Sequence, residues 1–403
     1  MNYAVLLVNL LLDKYESSKG YQTGVFNQRI RLKINQEEMF SEAMENGDEH
    51  ARFLADVELL EQKEIVCFDW VRFEEGNLVK DIWLCLDHVE EAYAFARRKP
   101  LALATSQMIE MVKKALQEMK HDSPLKDYLA SKLAWMEEKK RPFKLFENKD
   151  LEGLLKCLVF LHDNQTQWLE RVLSTHLYKD SKYFEKEIKK PLLSILRAID
   201  KDEEHGEGDL LLEYGISRYP EVIEFCGSLI VFLQNGSCID YGSQIHGAYI
   251  NSLTIDDIDS IEIKCDRILS IENKANYIAC VQSRKPNELI LYHGGCYSPA
   301  KERFFKKIAQ ASSCKVDHWS DIDLGGFRIF TRLKENIFPQ AQPYQMDLQT
   351  LRKHESACLP ITSTTYLKQL EEMYQEPRYA IFHEVIAYML AKRIKLEEEN
   401  ILV

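Results

Sequence analysis

The stretch that decides the fold runs from Arg267 to Phe330: RILSIENKANYIACVQSRKPNELILYHGGCYSPAKERFFKKIAQASSCKVDHWSDIDLGGFRIF. Arg267 to Glu272 reads as a strand, Asn273 to about Arg284 as a helix, Glu288 to His293 as a strand and Pro299 to Ala311 as a helix. Lys315 to Trp319 is again a strand, Gly326 to about Asn336 a helix, and Tyr344 to Met346 a short further strand. Short apolar runs alternating with helical stretches of about 10–15 residues mean βαβ crossovers, and hence an α/β unit built on a mainly parallel sheet.

In open parallel sheets the functional groups lie just beyond the carboxyl ends of the strands. Two strands here end in acid: the first in Glu272, the third in Asp321-Ile322-Asp323, followed by Leu324-Gly325-Gly326 and a helix. While the chain stays extended, residues two apart share a side, so Asp321 and Asp323 face one way while Ile322 turns into the core. The glycines let the backbone turn tightly into the helix. Three carboxylates brought together repel one another unless a hard cation neutralises them, and all-oxygen ligands with positions left for water and phosphate describe Mg²⁺, with Mn²⁺ serving as well. The competing reading makes Asp323 a helix cap and Glu272 an exposed strand end, which is the better account of a lone DxD. A strand-end Glu placed 49 residues before a strand-end DxD is a more demanding pattern.

Outward from this region the pattern changes. The stretch 151–199 is helical and ends in the charged, glycine-containing segment 200–209, the best linker candidate. Residues 100–141 are rich in Ala, Leu, Met, Lys and Glu and predict a helical arm. Tyr3 to Tyr15 and Gln36 to Gln62 carry helical apolar faces, and Ile65–Phe73 and Leu78–Leu86 are β-rich runs around a Glu74-Glu75-Gly76-Asn77 turn. Helices followed by a hairpin resemble a winged-helix module, and a plain α+β cap fits the same pattern. The resulting map has a winged-helix-like module over 1–99, an arm over 100–150, a helical block extended to 151–250, and an α/β unit over 251–403. The chain is thus read as α/β and α+β multidomain, within the about two to four units that 403 residues predict.

Composition narrows the class. Hydrophobic residues at 45% and charged residues at 29% exclude a disordered or fibrous chain. Lys+Arg 52 against Asp+Glu 64 gives a net charge of −12, which argues against coating nucleic acid through the overall field while leaving a local basic groove open. Ten scattered cysteines with no CxxC pair read as reduced, mostly buried thiols, suited to the cytoplasm. The apolar start MNYAVLLVNLLLDKY lacks a preceding basic residue and reads as a first helix rather than a leader, and no stretch has the length of a membrane span.

The strand-end Glu and DxD resemble the toprim fold of topoisomerases and primases. Four segments, IENKANY (271–277), HWSDIDLGGFRIF (318–330), YQMD (344–347) and HLYKDSKYFE (176–185), make the chain similar to the JetD family, nuclease subunits of Wadjet plasmid-defence systems related to the topoisomerase VI A subunit. That resemblance implies a winged-helix DNA-binding domain of the CAP type over 151–250 and a C-terminal toprim domain over 251–403. It also implies a homodimer acting on double-stranded DNA with an SMC-type ATPase, a kleisin and a small winged-helix subunit. Glu272, Asp321 and Asp323 become the catalytic and metal-holding residues of a Mg²⁺- or Mn²⁺-dependent endonuclease. The tail KLEEENIL (395–402) resembles a family segment with a further acidic pair, so Glu397 or Glu399 is an additional ligand or an exposed acidic end.

Ser320 and Leu324 depart from the Gly and Pro that the family more often carries around DxD. Lys182, Lys301 and Arg303 are candidate DNA-backbone contacts, with Lys306 and Lys307 on the same predicted helix, against the plain reading of solvated helix faces. His293-Gly294-Gly295-Cys296-Tyr297 reads as a structural turn or as a place where backbone approaches DNA. The positions matching the family's nucleophilic tyrosines are Ser174 and Thr175, and Tyr178 and Tyr183 fall out of register. His176 is the nearest base for a serine nucleophile. Hydrolysis by metal-activated water is therefore favoured over transesterification. A topoisomerase-like transesterase and a non-catalytic DNA-sensing subunit remain the rival readings.

Overall fold

The computed structural model describes residues 2–37, 40, 47–147, 150–200 and 206–401. Two compact units divide between Leu155 and Lys156, where the sequence suggested four. Most of the linker candidate, 201–205, and residues 38, 39 and 41–46 of the expected second helix lie outside the described residues.

In the first unit, helix α1 (Tyr3–Ser17) starts at Asn2, whose side chain accepts from the Val5 N–H, and buries Leu7, Val8, Leu11 and Leu12. This is the i, i+3, i+4 spacing of a helix laid on a core, so the apolar start of the chain is structural. Helix α2 (Gly47–Gln62) packs beside it. Strand β1 (Arg31–Lys33) joins the antiparallel hairpin of β2 (Val66–Trp70) and β3 (Val79–Leu84) in the order β1-β3-β2. Helix α3 (Val89–Phe95) follows. The expected arm is a pair of helices packed on each other, α4 (Leu101–Glu118) and α5 (Pro124–Lys139), the second opened by Ser123 as cap and Pro124 at its first position.

In the second unit, α6 (Leu151–Asp163, beginning just before the boundary), α7 (Glu170–Tyr178) and α8 (Lys189–Ile199) form the helical block, with a π-helical turn over Phe184–Ile188. Strands β4 (Val222–Cys226), β5 (Leu229–Leu233), β6 (Cys238–Asp240), β7 (Ala248–Asn251) and β8 (Ile258–Ile263) lead into the α/β region. There β9 (Arg267–Ile271), α9 (Lys274–Gln282), β10 (Glu288–Tyr292), α10 (Pro299–Ala311), β11 (Lys315–Trp319) and α11 (Leu324–Asn336) alternate as expected. The last pairing falls at β12 (Gln342–Pro343), two residues before the predicted Tyr344–Met346, although the Tyr344 N–H still donates to the His318 carbonyl.

The central sheet has the order β12-β11-β9-β10-β4-β7. Its β12-β11-β9-β10 half is parallel, and β4 and β7 continue it antiparallel, so the sheet is mixed rather than mainly parallel. The domain boundary placed at 250/251 therefore runs through this sheet. Local pattern could not show that, because β4 and β7 acquire their partner β10 only through long-range pairing. Strands β8, β5 and β6 form a separate three-stranded sheet.

Strand β9 is buried on both faces: Ile268 belongs to the core under α10 and α11, while Leu269 and Ile271 pack with Tyr277, Val281 and Trp319 on the α9 side. Double burial is why RILSI reads as an apolar run instead of alternating. At its N-terminal end Arg267 reaches Glu288 of β10 at 3.1 Å and Asp317 of β11 at 2.6 Å, tying all three strands at the end opposite the carboxylates. The ten cysteines are free, but Cys157, Cys226 and Cys296 alone are buried, fewer than expected. Among the described residues no helix is long and apolar enough to cross a membrane.

Candidate active site

Strand order supplies the site. The chain leaves β9 through α9 to reach β10 on one side, then crosses back through α10 to β11 on the other. The carboxyl ends of β9 and β11 are thus neighbours at the point where direction reverses, with Ile271 opposite Trp319. The Glu272 N–H continues the ladder to the Trp319 carbonyl at 3.0 Å, which sets Glu272 beside Ser320 and Asp321. Its Oε2 is buried. The next residue, Asn273, caps α9 by accepting from the Ala275 and Asn276 N–H groups.

The DxD behaves as alternation requires. Ile322 is fully buried and Asp323 has an extended backbone, so the two aspartates lie on the side opposite Ile322. Asp323 Oδ1 accepts from the Gly326 N–H at 2.9 Å, capping α11, while Oδ2 lies 3.7 Å from Lys395 Nζ. The capping and functional readings of Asp323 are thus compatible, because they use different oxygens. Gly326 is required: a Cβ there would meet the Asp321 carbonyl oxygen at 2.1 Å and Ser320 Oγ at 2.8 Å.

The C-terminal tail completes the site. Ile322 and Leu396 exchange backbone bonds of 2.9 and 3.3 Å, and the Glu398 N–H donates to Asp321 Oδ1 at 2.5 Å. Glu398, fully buried, accepts from the Asn273 N–H at 3.2 Å, and the more exposed Glu399 accepts from Asn273 Nδ2. The expectation had weighed Glu397 and Glu399. Counting alternation from the buried Leu396 gives Glu398 as the inward residue, a signal available once Leu396 is known to pair.

Burial, and then the neighbouring Asp323 charge, push the Asp321 carboxyl up to about 7. Burial, with Asp321 adding to it, pushes Glu398 up to about 9. No choice of one oxygen from each of Glu272, Asp321 and Asp323 brings all three within 4.8 Å. Like charges keep the side chains apart, and each aspartate is held by a local donor. The donors are nevertheless all oxygen, their charge exceeds what Lys395 balances, and a hard cation that keeps several waters does not need every ligand in direct contact. The residues fit Mg²⁺ or Mn²⁺.

Most of the candidate DNA contacts have partners within the chain. Lys301 is buried, with Nζ donating to the His293 and Cys296 carbonyls at 2.6 and 3.0 Å and pairing with Glu221, so it staples the His293–Tyr297 turn. That turn is structural, with Gly294 at φ +65°. Arg303 is engaged by Asp256 and the Gln165 carbonyl, Lys306 by Glu302, and Lys307 by the Ile258 carbonyl. Their charges have partners within the chain, which spacing on a helix face could not reveal. Lys182 is exposed. Ser174 is buried, donating to the Asp180 carbonyl and accepting from the Phe184 N–H at 2.9 Å, while Thr175 bonds to the Arg171 carbonyl. His176 lies against Trp168, and Tyr178 and Tyr183 pack ring to ring at 5.0 Å. Burial depresses the imidazoles of His293 and, to about 3, His318, so both are neutral core groups.

Residues 232–403 match the family model described as Wadjet protein JetD, C-terminal, and so contain both carboxylate loops and the tail. Over 408 aligned residues the chain is 25% identical to Wadjet protein JetD of Bacillus cereus (strain Q1), covering 100% of this chain and 99% of that protein. The chain is similar to the JetD family model over its C-terminal part and to a JetD protein along its whole length. The similarity to JetD reaches beyond residues 232–403 into the first unit.

Proposed function

We propose that this JetD relative is a metal-dependent DNA endonuclease, the nuclease subunit of a Wadjet defence complex. The observation that carries the reading is the meeting of Glu272 with the Asp321–Asp323 pair at adjacent parallel strand ends, where burial and charge crowding raise Asp321 to about 7. Crowded carboxylates at a strand end are costly to a fold and mark a site for function. Glu272, Asp321 and Asp323 would hold Mg²⁺ or Mn²⁺, with Glu398 and Glu399 beside them. A bound divalent ion there supplies Lewis-acid activation of a phosphodiester and of an attacking water. Asp323, fixed by its capping bond, keeps one oxygen directed by the helix start. Asp321, near neutrality in pKa, can hold or release a proton at physiological pH.

Hydrolysis is favoured over transesterification because no tyrosine stands at the matching positions and Ser174 there is buried and held by backbone bonds. The remaining parts of the reading follow the family: a toprim domain built on the parallel half of the sheet, a CAP-like winged helix upstream of it, Lys182 on the DNA backbone, and a dimer, since one site cuts one strand. Its partners would be an SMC-type ATPase, a kleisin and a small winged-helix subunit. The test is plasmid cleavage by the assembled complex with Mg²⁺ or Mn²⁺. Wild-type chain should give free 5′-phosphate ends, and folded Asp321→Ala should give none. Protein covalently joined to the ends would establish the transesterase, and cleavage undiminished in Asp321→Ala would remove the site assignment.

A further inference from the structure

We propose that the C-terminal segment Ile394–Ile401 is a clamp that positions the carboxylate site, and that Glu398 and Lys395 within it act on divalent-ion affinity in opposite directions. The inference rests on the metal-site reading above and goes beyond it by giving the tail a role.

The segment leaves the helix His383–Lys392 through Arg393, whose φ of +56° turns the chain back towards the sheet. Ile394 and Lys395 pair antiparallel with Leu359–Pro360. Leu396 then makes reciprocal backbone bonds with Ile322, between the two aspartates, and is itself fully buried. From that anchor the next residues reach both strand ends. The Glu398 N–H holds Asp321, and the Glu398 side chain holds the Asn273 N–H directly after Glu272. Glu399 adds a second bond to the Asn273 side chain. One short stretch of chain thus touches the loop that carries Glu272 and the loop that carries the DxD.

Two features go beyond packing. Glu398 is completely enclosed, with the Asn273 N–H on one oxygen and the Asn276 side chain beside its carboxyl. A buried carboxyl is expensive, and a tail needed only for packing would carry Leu there. Lys395 Nζ sits 3.7 Å from Asp323 Oδ2 on a side chain that is 18% exposed, a monovalent charge placed where a divalent ion would use the same oxygen. Glu398 holds the two loops in register, and Lys395 competes for Asp323. A role limited to folding predicts that altering either residue weakens ion binding. The clamp predicts opposite signs.

The experiment uses the full chain and Mn²⁺ alone, with affinity measured by calorimetry or by paramagnetic resonance. Glu398→Ala removes the acceptor of the Asn273 N–H and should weaken Mn²⁺ binding by about tenfold, about 1.4 kcal/mol. Lys395→Met keeps the aliphatic stem and should tighten binding by several-fold. Equal affinity in Glu398→Ala, or weaker binding in Lys395→Met, overturns the proposal. Amide exchange gives a readout without metal: Glu398→Ala should speed exchange at Asn273 and Ile322 while leaving strand β10 protected, and unchanged exchange there removes the clamp. If wild-type chain shows no saturable Mn²⁺ binding, the metal-site reading and the affinity half of this inference both fall, and the exchange result decides the clamp.

Discussion

Replacing Asp321 by Asn should stabilise the protein in a way that grows with pH. The carboxyl titrates near 3.8 in an unfolded chain and near 7 in the fold, because it is buried and faces Asp323. Between pH 4 and 7 the unfolded chain has given up a proton that the folded chain keeps, so wild-type stability falls as pH rises through this window and levels off above it. At about 1.4 kcal/mol per pH unit the full effect is about 4 kcal/mol, an upper bound for a group that is not wholly enclosed. The Asp321→Asn variant has no such slope, and its amide oxygen still accepts from the Glu398 N–H. The gap between variant and wild type should therefore open from pH 4, approach its full size near pH 7 and stay constant beyond. Urea unfolding of the full chain at steps from pH 4 to 9, with a chelator present, measures it. Adding Mg²⁺ should then narrow the gap by stabilising wild type more than the variant. Parallel stability curves for the two proteins would refute the view that Asp321 is held against its own charge.

Gly326→Ala should lose about 2 kcal/mol or more and weaken Mn²⁺ binding, since its Cβ has to displace the Asp321 carbonyl, and calorimetry reads both effects. Ser174→Ala should cost about 1–3 kcal/mol, because the Phe184 N–H loses its acceptor, while cleavage by the folded fraction stays at the wild-type rate; a lost cut would revive serine chemistry. Arg267→Ala should cost about 3 kcal/mol in urea unfolding, since Asp317, 3% exposed in its side chain, keeps only Lys315 as counter-charge.

Legibility followed the range of the interactions. The elements from β9 to α11 were readable because each is specified locally: apolar runs of five residues, a capping Asn273, Pro299 at the start of α10, and glycines after the DxD. The placement of Glu272 and the DxD at strand ends follows from the same run of residues. The mixed character of the sheet was not readable, because β4 and β7 look the same whether they pair with each other alone or extend β10. Lys301 and Arg303 looked like phosphate contacts since charge on a helix face has no visible partner until Glu221 and Asp256 are folded against it.

The amino-acid sequence by itself determined the acid residues, their spacing and the strand ends they occupy, since alternation along a strand is a property of neighbouring residues. Only the tertiary structure decided that β9 and β11 are adjacent and that the tail from Ile394 returns to lie against Ile322. It also decided that Glu398 rather than Glu397 points inward. Those facts depend on pairing between segments more than 40 residues apart, which is fixed by the closing of the whole core and leaves no trace in any one stretch of chain.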